Sequence, residues 1–373
     1  MFSKLVLLVA AVATMVQFSP SLLYPTELKS FSVKDIPSLS SGMTIVVTGA
    51  NTGLGYATVE HLVQAGTAEV VIMACRSMDR CERAREEILS TSNASKTRVV
   101  PVPLDLASRE SIVAAADIIQ TLALFEQEGG AALEPIHALI NNAGVMGAWK
   151  SKEYIDNENV ETHVWVNHVG HALLTHLLWP NLVAGSARIV SVSSSTALAP
   201  FDASEGWFPS IEEKGRQPDE AAWWKNAYNT LDGIRFYAIS KRANLKFATE
   251  LHDRYHALGI SSVGSHPGYT RTHLFARWNF PLAPDGLKNF MHANRWGSSD
   301  PKEGSLTQLR AALDREGVPS GSHVGPTMLA VGKPVVVGNL TNSIHHWPFS
   351  RDQSQALWDQ TMSVLGISEF GKR

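Results

Sequence analysis

The sequence predicts an α/β protein: a single doubly wound parallel sheet with helices on both faces. Three observations carry this. From residue 43 onward, short β-branched and apolar runs alternate with helical stretches. No internal repeat and no second domain pattern interrupts that alternation. A glycine cluster stands at the first strand–helix junction.

Composition agrees. The 373 residues are 44% hydrophobic and 18% charged, which supplies a full core and excludes a disordered or low-complexity chain. The length allows two to three domains at ~150 residues each, but an α/β unit often reaches about 250 as one. Lys+Arg of 32 against Asp+Glu of 35 leaves a net charge of -3, with no footprint for nucleic acid. Two cysteines, Cys75 and Cys81, cannot build a disulfide framework, so the folded part needs no oxidising compartment. Ten Trp imply at least one extended apolar surface or pocket.

Residues 1–18 carry one early cation, Lys4, and then an apolar run over 5–16. That run is short of the ~20 residues of a comfortable membrane span. It fits a signal-peptide core with Ala11-Val12-Ala13 as the cleavage site, or a short uncleaved anchor. Residues 19–42 are a Ser-rich linker containing Pro20, Pro25 and Pro37. A second, organelle-targeting segment there is disfavoured by Glu27 and Asp35 beside Lys29 and Lys34. The folded domain is expected over 43–373.

The elements then follow in order. Residues 44–48 are a β-branched strand ending at glycine, and 54–65 a helix. Residues 69–74 make a second strand and 78–89 a charged helix; 97–104 is a third strand, ending at Asp105, with 108–126 helical after it. Residues 136–141 form the fourth strand, 160–182 a long helix, 188–193 the fifth strand and 235–258 another long helix. Strands at 260–265 and 334–337 complete the set.

The motif Thr48-Gly49-Ala50-Asn51-Thr52-Gly53-Leu54-Gly55 follows the first strand and opens the first helix. Glycines there let backbone approach a pyrophosphate, and the helix N-terminus offers free N–H groups and a positive dipole end. In a Rossmann-like chain this is the dinucleotide site. An NAD site wants an acid at the end of the second strand, whereas NADP needs a cation for the 2′-phosphate. This strand ends Ala74-Cys75-Arg76-Ser77, with no carboxylate until Asp79. Arg76 can grip a phosphate bidentately, which points to NADP(H) rather than NAD(H).

The chain resembles the short-chain dehydrogenase/reductase family, in its retinol dehydrogenase-like branch, near the WW-domain oxidoreductase and the light-dependent protochlorophyllide reductases. Besides the glycine motif, the resemblance rests on segments in the family's order from about residue 43 to the end. These are 71–76 (VIMACR), 104–106 (LDL), 139–146 (LINNAGVM), 161–171 (ETHVWVNHVGH), 188–194 (RIVSVSS), 237–241 (YAISK) and 266–272 (HPGYTRT).

Tyr237 and Lys241 lie four apart on a helix and share a face. A phenol near pKa ~10 is a poor acid–base group at neutral pH, and a nearby ammonium plus an oxidised nicotinamide ring would bring that value down. The resemblance makes Tyr237 the general acid for a carbonyl oxygen and has Lys241 hold the nicotinamide ribose as well. It assigns Ser194 to polarise the same oxygen, although Ser193 and Ser195 flank it and nothing local chooses among them. It gives Asn167, a polar residue inside an apolar helix, a water-mediated proton relay behind Lys241. It places Asn141, Asn142, Ala143 and Gly144 along the adenine ribose, and Asp105 with Leu106 at the adenine. Pro267, Gly268, Thr270 and Thr272 fall near the nicotinamide carboxamide or the phosphates.

His163, His168 and His171 fall in one helix, but spacings of five and three do not bring all three to one face, and no metal-ligand motif occurs. No Gly-x-Ser-x-Gly elbow supports a hydrolase. Forty-two residues separate Ser194 from Tyr237, more than the family usually shows, and they carry Trp207, Phe208, Trp223, Trp224 and Tyr228. Such an excursion leaves and returns over the site's mouth and is a candidate lid. A second stretch, 274–325, holds Trp278, Phe280, Phe290, Met291 and Trp296. Together they favour a bulky apolar carbonyl or alcohol: retinoid-, steroid- or lipid-aldehyde-like. The alternatives are a catalytically silent NADP-binding regulator, disfavoured by the intact Asn167–Ser194–Tyr237–Lys241 set, and a light-dependent reductase, disfavoured by the pattern at 141–144. The expected setting is the endoplasmic reticulum membrane, reached through the N-terminal segment, with a plastid or other organelle as the alternative. The two long helices resemble those that pair in family homodimers.

Overall fold

The computed structural model describes residues 31–37, 43–92, 96–125, 135–146, 160–182, 187–198, 223–272, 299–328, 331–339 and 351–372. The strands are β1 (Thr44–Thr48), β2 (Val70–Cys75), β3 (Arg98–Pro103), β4 (Ile136–Asn141), β5 (Arg188–Val192), β6 (Ser261–Ser265), β7 (Ser322–Met328) and β8 (Val331–Asn339). They form one sheet in the order β3-β2-β1-β4-β5-β6-β7-β8. Every residue of β1, β2 and β5 is buried, as strands covered on both faces must be. The order reverses between β1 and β4, so the crevice at their carboxyl ends is where such a sheet receives a ligand.

The helices are α1 (Gly53–Ala65), α2 (Met78–Thr91), α3 (Arg109–Phe125), α4, α5 (Trp223–Tyr255), α6 (Pro301–Leu313) and α7 (Arg351–Leu365). Helix α4 joins Thr162–Val164, a π turn Trp165–Val169 and Gly170–Leu178. One core lies under α1, α2 and α6, the other under α3, α4, α5 and α7. Local chemistry sets several ends. Gly66 closes α1 at φ 63, in the left-handed region where glycine carries no Cβ penalty. Glu161 caps α4 by accepting from the N–H groups of His163 and Val164. Asp300 caps α6 ahead of Pro301.

The structure corrects the reading at several points. The sheet is not wholly parallel: β8 runs antiparallel to β7, because a two-residue connection makes a hairpin and cannot cross over. Strand β7 went unread because Gly325 and Pro326 inside it look like loop punctuation. The second half of the stretch 274–325 is therefore framework, α6 and β7, while 274–298 lies outside the described residues. Helix α5 begins at Trp223, inside the segment assigned to the insertion. Phe31 and Ile36, assigned to the linker, are buried against the α1–α2 core, and Thr67 Oγ1 donates to the Pro37 carbonyl. Cys75 and Cys81 are joined by a disulfide across the β2–α2 turn. The N-terminal targeting segment lies outside the described residues; among those described, no helix is long and apolar enough to cross a membrane.

Helix α7 and Phe370 cover the outer side of α4 and α5. Trp358 stacks on Phe247 with ring centroids 5.8 Å apart, and Phe370 stands 5.3 Å from Trp179. Thr361 Oγ1 meets His168 Nε2 at 2.9 Å, and Arg109 donates to the carbonyls of Val364 and Leu365. The helices expected to pair in a homodimer are thus partly covered from within the chain.

Candidate active site

The glycine loop closes tightly on the turn after β4. Gly49 and Gly53 have φ of 65 and 57. A Cβ on Gly49 would lie 2.9 Å from Ala143 Cα, and one on Gly55 would lie 2.7 Å from Asn142 Nδ2. Thr48 Oγ1 accepts from the N–H groups of Asn142 and Ala143, both at 2.9 Å, while Asn142 Nδ2 donates to the Thr48 carbonyl at 2.8 Å. Thr52 makes no side-chain cap, and the first turn of α1 holds no acid, so its N–H groups face outward uncompensated. A Cβ on Gly53 would touch Thr272 Cγ2 at 3.3 Å, which brings the segment after β6 to the same loop. Thr270 is buried there, donating to the Pro267 carbonyl at 3.1 Å, and Gly268 turns at φ 70.

Arg76 stands exposed at the end of β2, free of hydrogen bonds and ion pairs with described residues. Asp105 is half-buried and its Oδ1 accepts from Ala107 N at 3.0 Å. The Leu106 side chain belongs to the core, and Asn141 is buried with Nδ2 on Thr175, so neither side chain is presented to the crevice.

The four catalytic candidates converge from β5, α4 and α5. Asn167, fully buried, donates from Nδ2 to the Val145 carbonyl (3.0 Å) and Ser240 Oγ (2.9 Å), and its Oδ1 accepts from Val145 N (2.7 Å). Lys241 Nζ donates to the Val192 carbonyl at 3.1 Å and lies 5.8 Å from the Tyr237 ring centroid. A Cβ on Gly144 would sit 3.2 Å from that Nζ and 3.3 Å from Asn167 Oδ1, so a side chain there would crowd both groups. The serine ambiguity resolves itself. Ser193 is buried and committed to the Lys241 carbonyl at 2.6 Å, whereas Ser194 is partly exposed and hydrogen-bonds the Tyr237 phenol.

Burial overrides the expected effect of the lysine. It pushes the Tyr237 phenol up to about 12, with the Ser194 hydrogen bond pulling weakly the other way. It also brings Lys241 down to about 8. The phenol is a proton holder in this arrangement. The ammonium points at a backbone carbonyl, and the desolvation it shares with Tyr237 outweighs its field.

Sequence reasoning missed the polar frame behind these groups. Glu161 Oε1 lies 2.7 Å from His163 Nδ1, both residues are buried, and the His163 ring stands edge-on to Tyr237 at 6.5 Å. His171 bridges Thr48 Oγ1 (2.9 Å) and the Asn167 carbonyl (3.0 Å). Of the four α4 histidines, His163, His168 and His171 thus serve three different partners, Glu161, Thr361 and the Thr48–Asn167 pair, and His176 accepts from Gly371 N. The signal available was a histidine at i+4 from an asparagine within an apolar run, whereas the histidines were weighed only against one another as metal ligands.

Comparison with known proteins extends the picture. A family model described as short chain dehydrogenase matches residues 43–205. Human retinol dehydrogenase 11 is 31% identical over 338 residues, covering 87% of this chain and 86% of that protein. Human retinol dehydrogenase 12 is 36% identical over 335 residues, 87% of each. A short-chain type dehydrogenase/reductase of Mycobacterium marinum superposes with a TM-score of 0.53 at 19% identity, covering 79% of this chain and 97% of that one.

Proposed function

The chain belongs to the short-chain dehydrogenases, in their retinol dehydrogenase-like branch, and on that premise we propose an NADP(H)-dependent enzyme acting on bulky apolar carbonyls or alcohols. It is an oxidoreductase of alcohol and carbonyl groups. The observation that carries the finer reading is the meeting of Asn167, Ser194, Tyr237 and Lys241 at the carboxyl end of the sheet, beside a glycine cradle with no room for side chains.

The residues fit a dinucleotide. The uncapped N-terminus of α1 and the close glycines at 49, 53 and 55 suit a pyrophosphate. Arg76, exposed and unengaged, suits a 2′-phosphate. Asn142, Ala143 and Gly144, and Pro267, Gly268, Thr270 and Thr272, stand on the two segments that meet the glycine loop, which supports their assignment to the same ligand. Bound there, NADPH supplies the hydride. Tyr237, a protonated phenol at neutral pH, gives its proton to the carbonyl oxygen as the alcohol forms, and Ser194 donates a hydrogen bond to that oxygen. Lys241 holds positive charge behind the phenol, with Asn167 fixed beneath it.

The substrate class rests on the Trp-bearing insertion 195–236 and on the segment 274–325, of which 199–222 and 274–298 lie outside the described residues, and on the names of the relatives, retinol dehydrogenases 11 and 12. Membrane association through residues 1–18 rests on the sequence pattern alone. The test is NADPH oxidation by the full chain against retinal, a steroid ketone and a medium-chain aldehyde, with Tyr237→Phe in parallel. Turnover lost in the variant supports the reading. Tight NADPH binding without turnover of any of the three would remove it in favour of a silent regulator.

A further inference from the structure

Helix α4 carries a π turn at Trp165–Val169, where Gly170 N–H reaches back five residues to the Trp165 carbonyl. Such a turn shifts the backbone pairing and opens carbonyls to other donors, and π turns recur at functional sites. Within it stands Asn167. One turn on stands His171, 3% exposed, with both ring nitrogens engaged.

The ring's tautomer follows from counting protons. Thr48 Oγ1 already accepts two N–H groups, from Asn142 and Ala143, so its own proton must go elsewhere. His171 Nε2 at 2.9 Å is a far better acceptor than the Ile140 carbonyl at 3.5 Å. Nε2 therefore carries the lone pair and Nδ1 the proton, which it donates to the Asn167 carbonyl. A second proton on the ring would point at an oxygen with two donors already on it. Burial acts the same way, holding this imidazole neutral down to about 3. His171 is thus a fixed, single-tautomer link rather than a proton carrier.

We propose that His171 is a positioning residue, a neutral strut that ties the π turn of α4 to the end of β1 and so holds the Asn167 amide beneath Lys241 in register with the cofactor turn 142–144. The connection runs from the N–H groups of Asn142 and Ala143 through Thr48 and His171 to Asn167, and from there to Val145 and Ser240. The cradle and the catalytic helix are thereby one hydrogen-bonded unit. The inference rests on the reading of this site as a hydride-transfer centre, but its first test does not.

That test is the imidazole spectrum of the full chain labelled with 15N-histidine, with His171 assigned by its loss in His171→Gln. The expected state is the neutral Nδ1–H tautomer from pH 5 to 8, disturbed by Thr48→Val and preserved by Thr48→Ser. An Nε2–H tautomer, an averaged signal or a charged ring would overturn the strut whether or not any substrate is turned over. The second test is single-turnover hydride transfer from NADPH to whichever panel carbonyl the wild type reduces. Loss of one buried link predicts a rate about tenfold to a hundredfold lower in His171→Phe. NADPH affinity should hold within about threefold, and His171→Gln should recover part of the rate. In a Thr48→Val background the same His171→Phe change should cost less than about threefold, because the strut is already cut. Independent, multiplying effects, or a loss confined to NADPH affinity and melting temperature, would make His171 an ordinary packing residue.

Discussion

The two faces of the sheet are built from different materials. Under α1, α2 and α6 the hydrophobic cluster is almost wholly aliphatic, Val59, Leu62 and Val63 from α1 meeting Ile45, Val47 and Met73, and the buried polar groups there, among them Thr58, Glu60, His61, Gln308 and Arg310, stand on α1 and α6. Under α3, α4, α5 and α7 it holds aromatics and many buried polar groups, among them His163, His168, His171, Thr175, Asn167 and Lys241. On the first face these groups pair with one another and with the frame, as Gln308 does with Thr58 and Arg310 with the Pro334 carbonyl, and what is left for a ligand is backbone at the N-terminus of α1. The second must hold side-chain atoms at fixed points in a medium where an unpaired polar group costs about 1–3 kcal/mol. Its histidines are accordingly tied to named partners. The difference lies in what the buried polar groups serve: on α1 and α6 they brace the frame, and around α4 and α5 they surround the catalytic candidates.

The sharpest way to test that division is Tyr237→Phe. Losing a positioned general acid lowers turnover by roughly 10²–10⁴-fold. NADPH affinity and melting temperature should stay near wild type, since the phenol hydroxyl contributes to neither the glycine cradle nor the aromatic cluster. Trp358→Ala should do the opposite. The ring is 6% exposed, stacks on Phe247 and lies 4.7 Å beneath the Arg254 guanidinium, so its loss should cost about 3–5 kcal/mol of stability. Calorimetry and turnover below the transition would check it. A large fall in turnover with little change in stability would mean that α7 serves the site directly.

Gly49→Ala probes the backbone face. The φ of 65 costs an L-residue about 1–2 kcal/mol, and the new Cβ would press on Ala143 Cα. NADPH affinity, read by fluorescence, should fall, and the His171 signal should move with it, because the displaced Ala143 N–H bonds the same Thr48 Oγ1 that meets His171. An unmoved His171 signal would show that the cradle yields independently of α4, against the strut.

How far each region was legible in the sequence follows the same division. Strands β1 to β6 and the glycine loop could be read because parallel buried strands are dense apolar runs and because glycines at a strand–helix junction have few other uses. Tyr237 with Lys241 was legible as an i,i+4 pair. The β7–β8 hairpin was not, since Gly325, Pro326 and Pro334 mimic loops and a hairpin hides its partner at short range. Nor was α7: its covering role depends on Phe247 and Trp179, residues far away in the chain. The sequence could not choose Ser194 over Ser193, a choice made by α5 engaging one and leaving the other beside the phenol. The Tyr237 value went the wrong way because sequence shows that a lysine is near but not that both groups are desolvated.

The smallest expected effect bears on the contrast most directly. His168 packs edge-on to Phe247 and pairs with Thr361, and burial, aided by neighbouring His171, lowers it to about 3. His171 moves in the same direction, and His266 falls to about 4. Each folded value lies below the unfolded one near 6.5, so the unfolded chain takes up protons first as pH falls. The stability these rings contribute is complete above pH ~6.5 and drains away toward pH 3–4. His168→Gln keeps an amide within reach of Thr361 but cannot titrate. Its stability at pH 7.5 should lie within about 1 kcal/mol of wild type, and its acid unfolding midpoint should move to lower pH. His61, beneath α6 on the aliphatic face, is the control. Burial lowers it too, but the Lys302 carbonyl and Glu60 pull it back. His61→Gln should leave the acid limb much nearer to wild type. If the two variants shift the midpoint equally, acid sensitivity is a property of buried histidine in general, and the polar face has no special share in it.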